Sequence, residues 1–160
     1  MKKIRMRRSD REITDKTIID EIFNECTCCR VGFYDNGEIY IIPLNYGYSE
    51  TSGKYSLYFH GATEGRKINL IKKNPTVGFE IDDSGEITGG KTPCSYSAKY
   101  KSIIGTGVIS FVEDANEKIF GLNCIMKHYT GKNCWCFESD ALSFVKVFRL
   151  TIDKLSCKIH

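Results

Sequence analysis

Apolar positions change period along the chain, and the changes mark its elements. Ile18, Ile19, Ile22, Phe23 and Cys26 fall at helical spacing and make one apolar face, with Thr14 or Asp15 placed to cap it. The pattern from Cys29 to Asp35 is that of a strand, and Asn36-Gly37 is a strong tight-turn pair because both turn positions tolerate positive φ. Glu38 to Tyr48 reads as the returning strand. Pro43 interrupts it, and a proline cannot donate to a ladder, so an edge or a bulge is expected there. A loop from Glu50 to Lys54 leads into a third strand, Tyr55 to His60.

The second half alternates in the same way. A helix from Glu64 to Lys73 is stopped by Asn74-Pro75. Thr76 to Ile81 reads as a strand and Asp82 to Pro93 as a long polar loop. Tyr96 to Val112 is one long strand or a bent pair, with Gly105 and Gly107 suggesting a bulge or a close approach. Asp114 caps a helix carrying Ile119, Leu122, Met126 and Tyr129, ended by Gly131, and Ser143 to Ile152 is the last strand. Many short strands with helices between them predict an α+β, mainly β fold: a closed or nearly closed antiparallel barrel with peripheral helices.

Composition narrows the class. The chain has 160 residues, 41% hydrophobic and 27% charged, which suits one globular domain, 1–160. No apolar run approaches the roughly 20 residues of a membrane helix, and no secretory signal follows the basic start, so a cytoplasmic protein without membrane contact is expected. The net charge of +3 is concentrated in an arm, residues 1–11, with six basic residues and one acidic; without it 17 basic and 19 acidic residues remain. The body therefore does not offer a nucleic-acid groove, and the arm reads as solvated or docked on a partner subunit. Eight cysteines include the close groups Cys26, Cys28, Cys29 and Cys134, Cys136. The groups read Cys-x-Cys-Cys and Cys-x-Cys; only Cys26 and Cys29 stand at the Cys-x-x-Cys spacing of zinc knuckles and Cys26 falls on the apolar helix face, which favours incidental thiols over a metal or redox site.

Candidate chemistry gathers in the segment Tyr58-Phe59-His60-Gly61-Ala62-Thr63-Glu64-Gly65-Arg66-Lys67. A strand ends in histidine, a glycine-bearing loop follows, and two cations stand where a helix begins. Backbone N–H groups at a helix start favour anions, and Arg66 and Lys67 add charge and directed hydrogen bonds, so the order suits a phosphate. Cations there oppose the helix dipole and want a nearby anion. His60 is placed to hydrogen-bond a ligand edge or deliver a proton. Tyr40 to Tyr48, with Pro43, Leu44, Asn45 and Tyr46 at its centre, offers an apolar wall with one amide, as a flat ring system needs. Tyr96, Tyr100, Ser95, Ser97 and Ser102 add hydroxyls ahead of Gly105-Thr106-Gly107. Trp135 reads as a core or interface anchor or as a lid on a bound ring.

Four segments resemble the nitroimidazole-resistance branch of the pyridoxamine-phosphate-oxidase-like family: Met6 to Arg11; Pro43 to Tyr48; Tyr58 to Gly61 with Gly65-Arg66-Lys67; and Tyr100 to Gly107. The resemblance implies an FMN-binding split β-barrel and a homodimer with flavin at the interface, FMN in most members and FAD as the alternative. It implies that Pro43, Leu44, Asn45 and Tyr46 line the ring system and that His60 and Gly61 sit near the ring and ribityl chain. It further implies that Arg66 and Lys67 hold the phosphate and that Tyr100, Ser102 and Ile103 close the pocket. Pyridoxamine-phosphate oxidation itself is not expected, because the C-terminal stretch Lys154 to His160 lacks an equivalent of that substrate site.

The leading reading is a flavin-dependent oxidoreductase that reduces small electron-poor compounds such as 5-nitroimidazoles, with His60 delivering a proton. The alternatives are a non-catalytic flavin- or haem-binding stress protein on the same barrel, with His60 or His128 as axial ligand, and a cysteine-based metal or redox sensor.

Overall fold

A computed structural model describes residues 9–160. Most of the basic arm, and Met6 to Arg8 of the first resembling segment, lie outside the described residues. Short 3-10 turns at Ser9–Arg11 and Pro93–Ser95 accompany twelve elements. In chain order these are β1 (Glu12–Ile13), α1 (Lys16–Glu25), β2 (Cys29–Asp35), β3 (Glu38–Leu44), β4 (Gly47–Thr51), β5 (Lys54–Gly61), α2 (Arg66–Lys73), β6 (Thr76–Thr88), β7 (Ser97–Phe111), α3 (Ala115–Thr130), α4 (Ser139–Ser143) and β8 (Lys146–Ile159).

All strand pairs are antiparallel, in the order β3-β2-β6-β7-β8-β5-β4, with β1 added to β8. The two end strands, β3 and β4, are consecutive in sequence and separated only by Asn45-Tyr46. The sheet rolls up and meets itself at that corner, which is the split of a split β-barrel with peripheral helices. Pro43 sits on β3, one of the two end strands, where its missing N–H leaves no ladder bond unmade.

Side chains alternate across each strand, and the inward set builds the core. Val31, Phe33, Leu57, Phe59, Ile81, Ile103, Ile109, Phe148 and Leu150 are at most 1% exposed. Ile22 and Phe23 of α1 and Ile68 and Ile71 of α2 join the same cluster. A smaller cluster lies under α3, where Leu122 and Ile125 join Tyr58 of β5, Val147 of β8 and Val112 just past the end of β7.

Local signals set several boundaries. Asp15, rather than Thr14, caps α1 by accepting from Thr17 N at 2.8 Å. Asp114 caps α3 through Glu117 N at 2.8 Å, and Gly131 ends it at φ +69°. Asn36 and Gly37, at φ +52° and +100°, make the β2–β3 turn. The expected loop Glu50 to Lys54 is instead a tight hairpin, with Thr51 paired to Lys54 across Ser52-Gly53.

Other boundaries move because pairing overrides local composition. The polar run from Asp82 continues β6 as far as Thr88, since Asp82, Asp83 and Ser84 pair with Ser102, Lys101 and Tyr100. β8 begins at Lys146 and runs to Ile159, while Ser143 ends the short α4. The strand expected from Glu38 to Tyr48 breaks at the barrel corner into β3 and β4. That corner is fixed from below by Tyr46, whose hydroxyl lies 2.8 Å from the carbonyls of Phe23 and Cys26. From outside, a Cβ on Gly47 would lie 2.2 Å from the carbonyl carbon of Cys124, so α3 packs directly on the β4 backbone.

Candidate functional site

The end of β5 and the start of α2 form a small cradle. Phe59 is buried in the core, so Gly61 faces the same side and His60 the other. A Cβ on Gly61 would stand 2.7 Å from Lys67 Nζ and 3.2 Å from Phe148 Cζ. The Lys67 ammonium is thus folded back over Gly61, 5.6 Å from the centre of the Phe148 ring. Gly65, at φ +123°, precedes α2 without a side-chain cap; its carbonyl accepts from Ile68 N at 3.1 Å, and among the described residues no side chain caps the helix start. His60 is exposed, lies opposite Val147 in register and stands on the α3 side of β5. A ligand touching both Lys67 and His60 must pass over the end of β5. Pairing of Gly47 with Tyr58 brings the barrel corner, with exposed Pro43 and Asn45 and half-buried Leu44, to the same end of that strand.

Arg66 takes a different course from its neighbour. Its Nε and Nη2 donate to Asp35 Oδ2 at 3.2 and 2.9 Å, Nη2 reaches Glu38 Oε2 at 3.5 Å, and Cζ lies 4.5 Å from the centre of the Tyr40 ring. Asp35 and Glu38 flank the Asn36-Gly37 turn. They supply the anions that a cation at a helix start calls for, and they hold Arg66 strongly protonated, the Asp35 hydrogen bond being the main cause. Sequence reasoning missed Asp35, Glu38 and Tyr40 as members of this cluster. The two acids look like ordinary turn residues until the hairpin tip meets α2.

Two residues that the resemblance implies at the flavin have side chains elsewhere. Tyr46 is 0% exposed, with its hydroxyl on the end of α1, and Ile103 is 0% exposed inside the barrel. Either could meet a ligand only through its backbone. Ile103 occupies an inward position on β7, and Tyr46, at the β3–β4 corner, is turned inward onto the end of α1.

Tyr100 and Ser102 form a separate group on β7. Tyr100 OH accepts from Arg11 Nη1 at 3.2 Å, and the Tyr100 ring lies 5.8 Å from the His160 ring. Ser102 pairs with Asp82 on one side and Lys158 on the other. The partners of His60 and Ser102 on β8, Val147 and Lys158, stand eleven residues apart. Across the sheet the row Pro43, Arg30, Glu80, Ile104 spans four strands, about 14 Å at ~4.8 Å per strand. Arg30 bridges Glu80 and Asp82 in that gap, at 2.9 and 2.5 Å. One chain therefore does not bring the cradle and the Tyr100–Ser102 group into contact.

A cavity of about 850 Å³ lies elsewhere, between α1, β4 and α3, with Asp20, Asn24, Tyr48, Glu50, Cys124 and His128 among its lining. None of the residues implied at the flavin lines it. Four of the eight thiols are made less reactive by burial, which pushes Cys26, Cys124 and Cys157 up to about 11 and raises Cys29 as well. Trp135, 40% exposed, donates through Nε1 to Lys132 O, and its backbone is held by the Asn123 amide.

Comparison with known proteins accords with this geometry. Residues 15–159 match the pyridoxamine 5'-phosphate oxidase family. A Bacteroides thetaiotaomicron protein described as a candidate 5-nitroimidazole antibiotic resistance protein is 32% identical, with a TM-score of 0.80, covering 92% of this chain and 86% of its own. Two more distant structures share the fold. One is an FAD- and haem-binding protein from Mycobacterium smegmatis, 15% identical, TM-score 0.80, covering 93% of this chain and 73% of its own. The other is a flavocytochrome from Azotobacter vinelandii, 16% identical, TM-score 0.77, covering 98% and 72%. No curated protein matches the sequence. Among the described residues no helix is long and apolar enough to cross a membrane. With 145 consecutive residues matched and the barrel reproduced, this chain belongs to the pyridoxamine 5'-phosphate oxidase family of flavin-binding split barrels.

Proposed function

We propose that the protein is a flavin-dependent oxidoreductase that reduces small electron-poor compounds, 5-nitroimidazoles among them, and that it works as a homodimer. The observation that carries the reading is the Lys67 ammonium over Gly61, beside a helix start that no side chain caps. That cradle fits the phosphate end of a flavin: a side chain at Gly61 would fill it, and the Lys67 cation belongs to the first turn of a helix whose start no side chain caps. FMN needs no more than this; FAD would place its adenylate beyond the phosphate.

A bound flavin supplies electron transfer to the substrate. The chain's own residues bind, orient and protonate. Lys67 and the α2 start hold the phosphate, and Arg66 adds its free edge. Pro43, Leu44 and Asn45 wall the ring at the barrel corner. His60, exposed on the other face of β5, reaches the reacting end and gives a proton. Tyr100 and Ser102 belong to the site of the partner copy. Support for a partner copy comes from an apolar patch: Tyr34, Ile39, Ile41, Ile104 and Val108 are 41–64% exposed on the outer side of β2, β3 and β7, around the side-chain-free Gly32 and Gly78.

The test is an absorption spectrum of the purified protein with chromatography of the released cofactor, followed by anaerobic turnover of nitro compounds. Flavin bands and nitro reduction are expected. A haem spectrum in place of flavin would move the protein to the haem-binding alternative. His60→Ala is expected to lower turnover with flavin retained; unchanged turnover removes His60 from proton delivery. Arg66→Ala with Lys67→Ala is expected to weaken FMN by about 10-fold or more, at roughly 1.5–3 kcal/mol per charged hydrogen bond.

A further inference from the structure

Arg66 is held by the hairpin tip on one edge only. Asp35 takes Nε and Nη2, Glu38 reaches Nη2 at the long distance of 3.5 Å, and Tyr40 backs the plane at 4.5 Å. Among the described residues no hydrogen bond from Nη1 accompanies these. A guanidinium carries five N–H groups in a fixed fork, so the Nη1 side keeps two donors in a set direction. The tip is itself anchored to the same helix one turn pair later, where Lys73 Nζ donates to Asn36 Oδ1 at 2.7 Å. Its turn is closed by Asn36 and Gly37, both at positive φ. The carboxylate that holds Arg66 is therefore fixed at its own end, with Asp35 half-buried and its side chain 20% exposed.

We propose that Asp35 is a positioning residue for the flavin phosphate: it aims Arg66 so that the Nη1 edge meets the anion. The inference rests on the flavin reading above and adds a residue to it. A carboxylate near a phosphate site would be unfavourable if it competed for the cation. Here it occupies the edge that the phosphate does not need, and it removes the rotamer freedom that a long side chain would otherwise lose on binding. Glu38, 79% exposed, is too loosely held to share the role.

The experiment is a double-mutant cycle on FMN affinity, read by fluorescence quenching, with thermal denaturation as a check on folding. Asp35→Ala is expected to weaken FMN by about 3- to 10-fold alone and not at all in an Arg66→Ala background, because Asp35 acts through Arg66. Asp35→Glu is expected to recover part of the loss. Tighter FMN binding by Asp35→Ala would make the carboxylate a competitor and overturn the inference. Equal loss in both backgrounds would make its role merely structural and also overturn it. Asp35→Asn, which keeps the shape, serves if the alanine variant does not fold. Lys67→Ala separates the two levels: weakened binding there with no effect at Asp35 leaves the flavin reading standing and removes this one. Absence of FMN binding by the unsubstituted protein overturns both.

Discussion

The cradle at the end of β5 and the hydroxyl group on β7 differ in how complete they are within one chain. At the cradle each cation has its partner close by: Lys67 lies over Gly61 and Phe148, and Arg66 is held by Asp35 and Tyr40. On β7, Tyr100 meets Arg11 and His160, but these contacts tie the strand to the sheet's own end and enclose no ligand space with the cradle. A strand gap carrying the Arg30–Glu80–Asp82 bridge stands between the two groups. The comparison teaches that segments neighbouring in a family pattern need not neighbour in one molecule. The homodimer proposed above would reconcile them, since each site would then take its cradle from one chain and its hydroxyls from the other.

Mixing damaged chains is the strongest way to break that account. Lys67→Ala chains and Tyr100→Ala, Ser102→Ala chains are each expected to bind FMN about 10-fold or more weakly. Refolded together and paired at random, they regain roughly a quarter of full-affinity sites, because each mixed pair contains one site with both halves intact. Titration with FMN at a concentration between the two affinities measures the fraction. No recovery would put both halves of the site in one chain and end the comparison.

A smaller effect sharpens the cradle side alone. Gly47 lets the backbone of α3 rest on β4, and a methyl group there would stand 2.2 Å from Cys124 C and 2.3 Å from Ile125 N. These are backbone atoms and cannot swing aside. Gly47→Ala is expected to destabilise the fold by about 1–3 kcal/mol, measured by urea unfolding. No loss of stability on this substitution would mean that α3 is not seated on β4 as described.

Signals that act over a few residues were legible in the sequence. The Asn36-Gly37 turn, the Asp114 cap with its Gly131 stop, and the run from His60 to Lys67 state their chemistry locally. Signals set by pairing were not. Asp82 to Thr88 looks like loop because acids, serine and glycine are poor strand formers, yet β7 supplies a ladder that holds them extended. The site divides in the same way. The place of Lys67, in the first turn of a helix after a glycine, could be read locally. The hold of Asp35 on Arg66 could not, because it joins residues 31 positions apart. Ile103 and Tyr46 show a third case: the family pattern supplies the position, but strand register at Ile103 and the turn of the barrel corner at Tyr46 decide which way the side chain points.

The smallest expected effect concerns pH and again falls on the cradle side. His128, near the end of α3, donates from Nε2 to Cys26 O at 2.9 Å, while its buried Nδ1 has no partner. Its ring stands 4.7 Å from Tyr46 and 4.8 Å from Tyr129, and burial lowers its pKa below the ordinary histidine value. The unfolded chain therefore takes up the proton first as pH falls. The contribution of neutral His128 is fully present above about pH 6.5 and is lost as pH drops from there toward the folded value. His128→Gln keeps an amide donor for Cys26 O and removes the titration. Between pH 7.5 and 5.5 the unsubstituted protein is expected to lose more stability in urea than this variant, by a margin below that of Gly47→Ala. Hydrogen exchange would show the added opening in α3 and β4 but not where β7 pairs with the end of β8. Equal pH slopes for the two proteins would mean that His128 does not tie α3 to the barrel corner, and that packing at Gly47 alone holds the cradle side together.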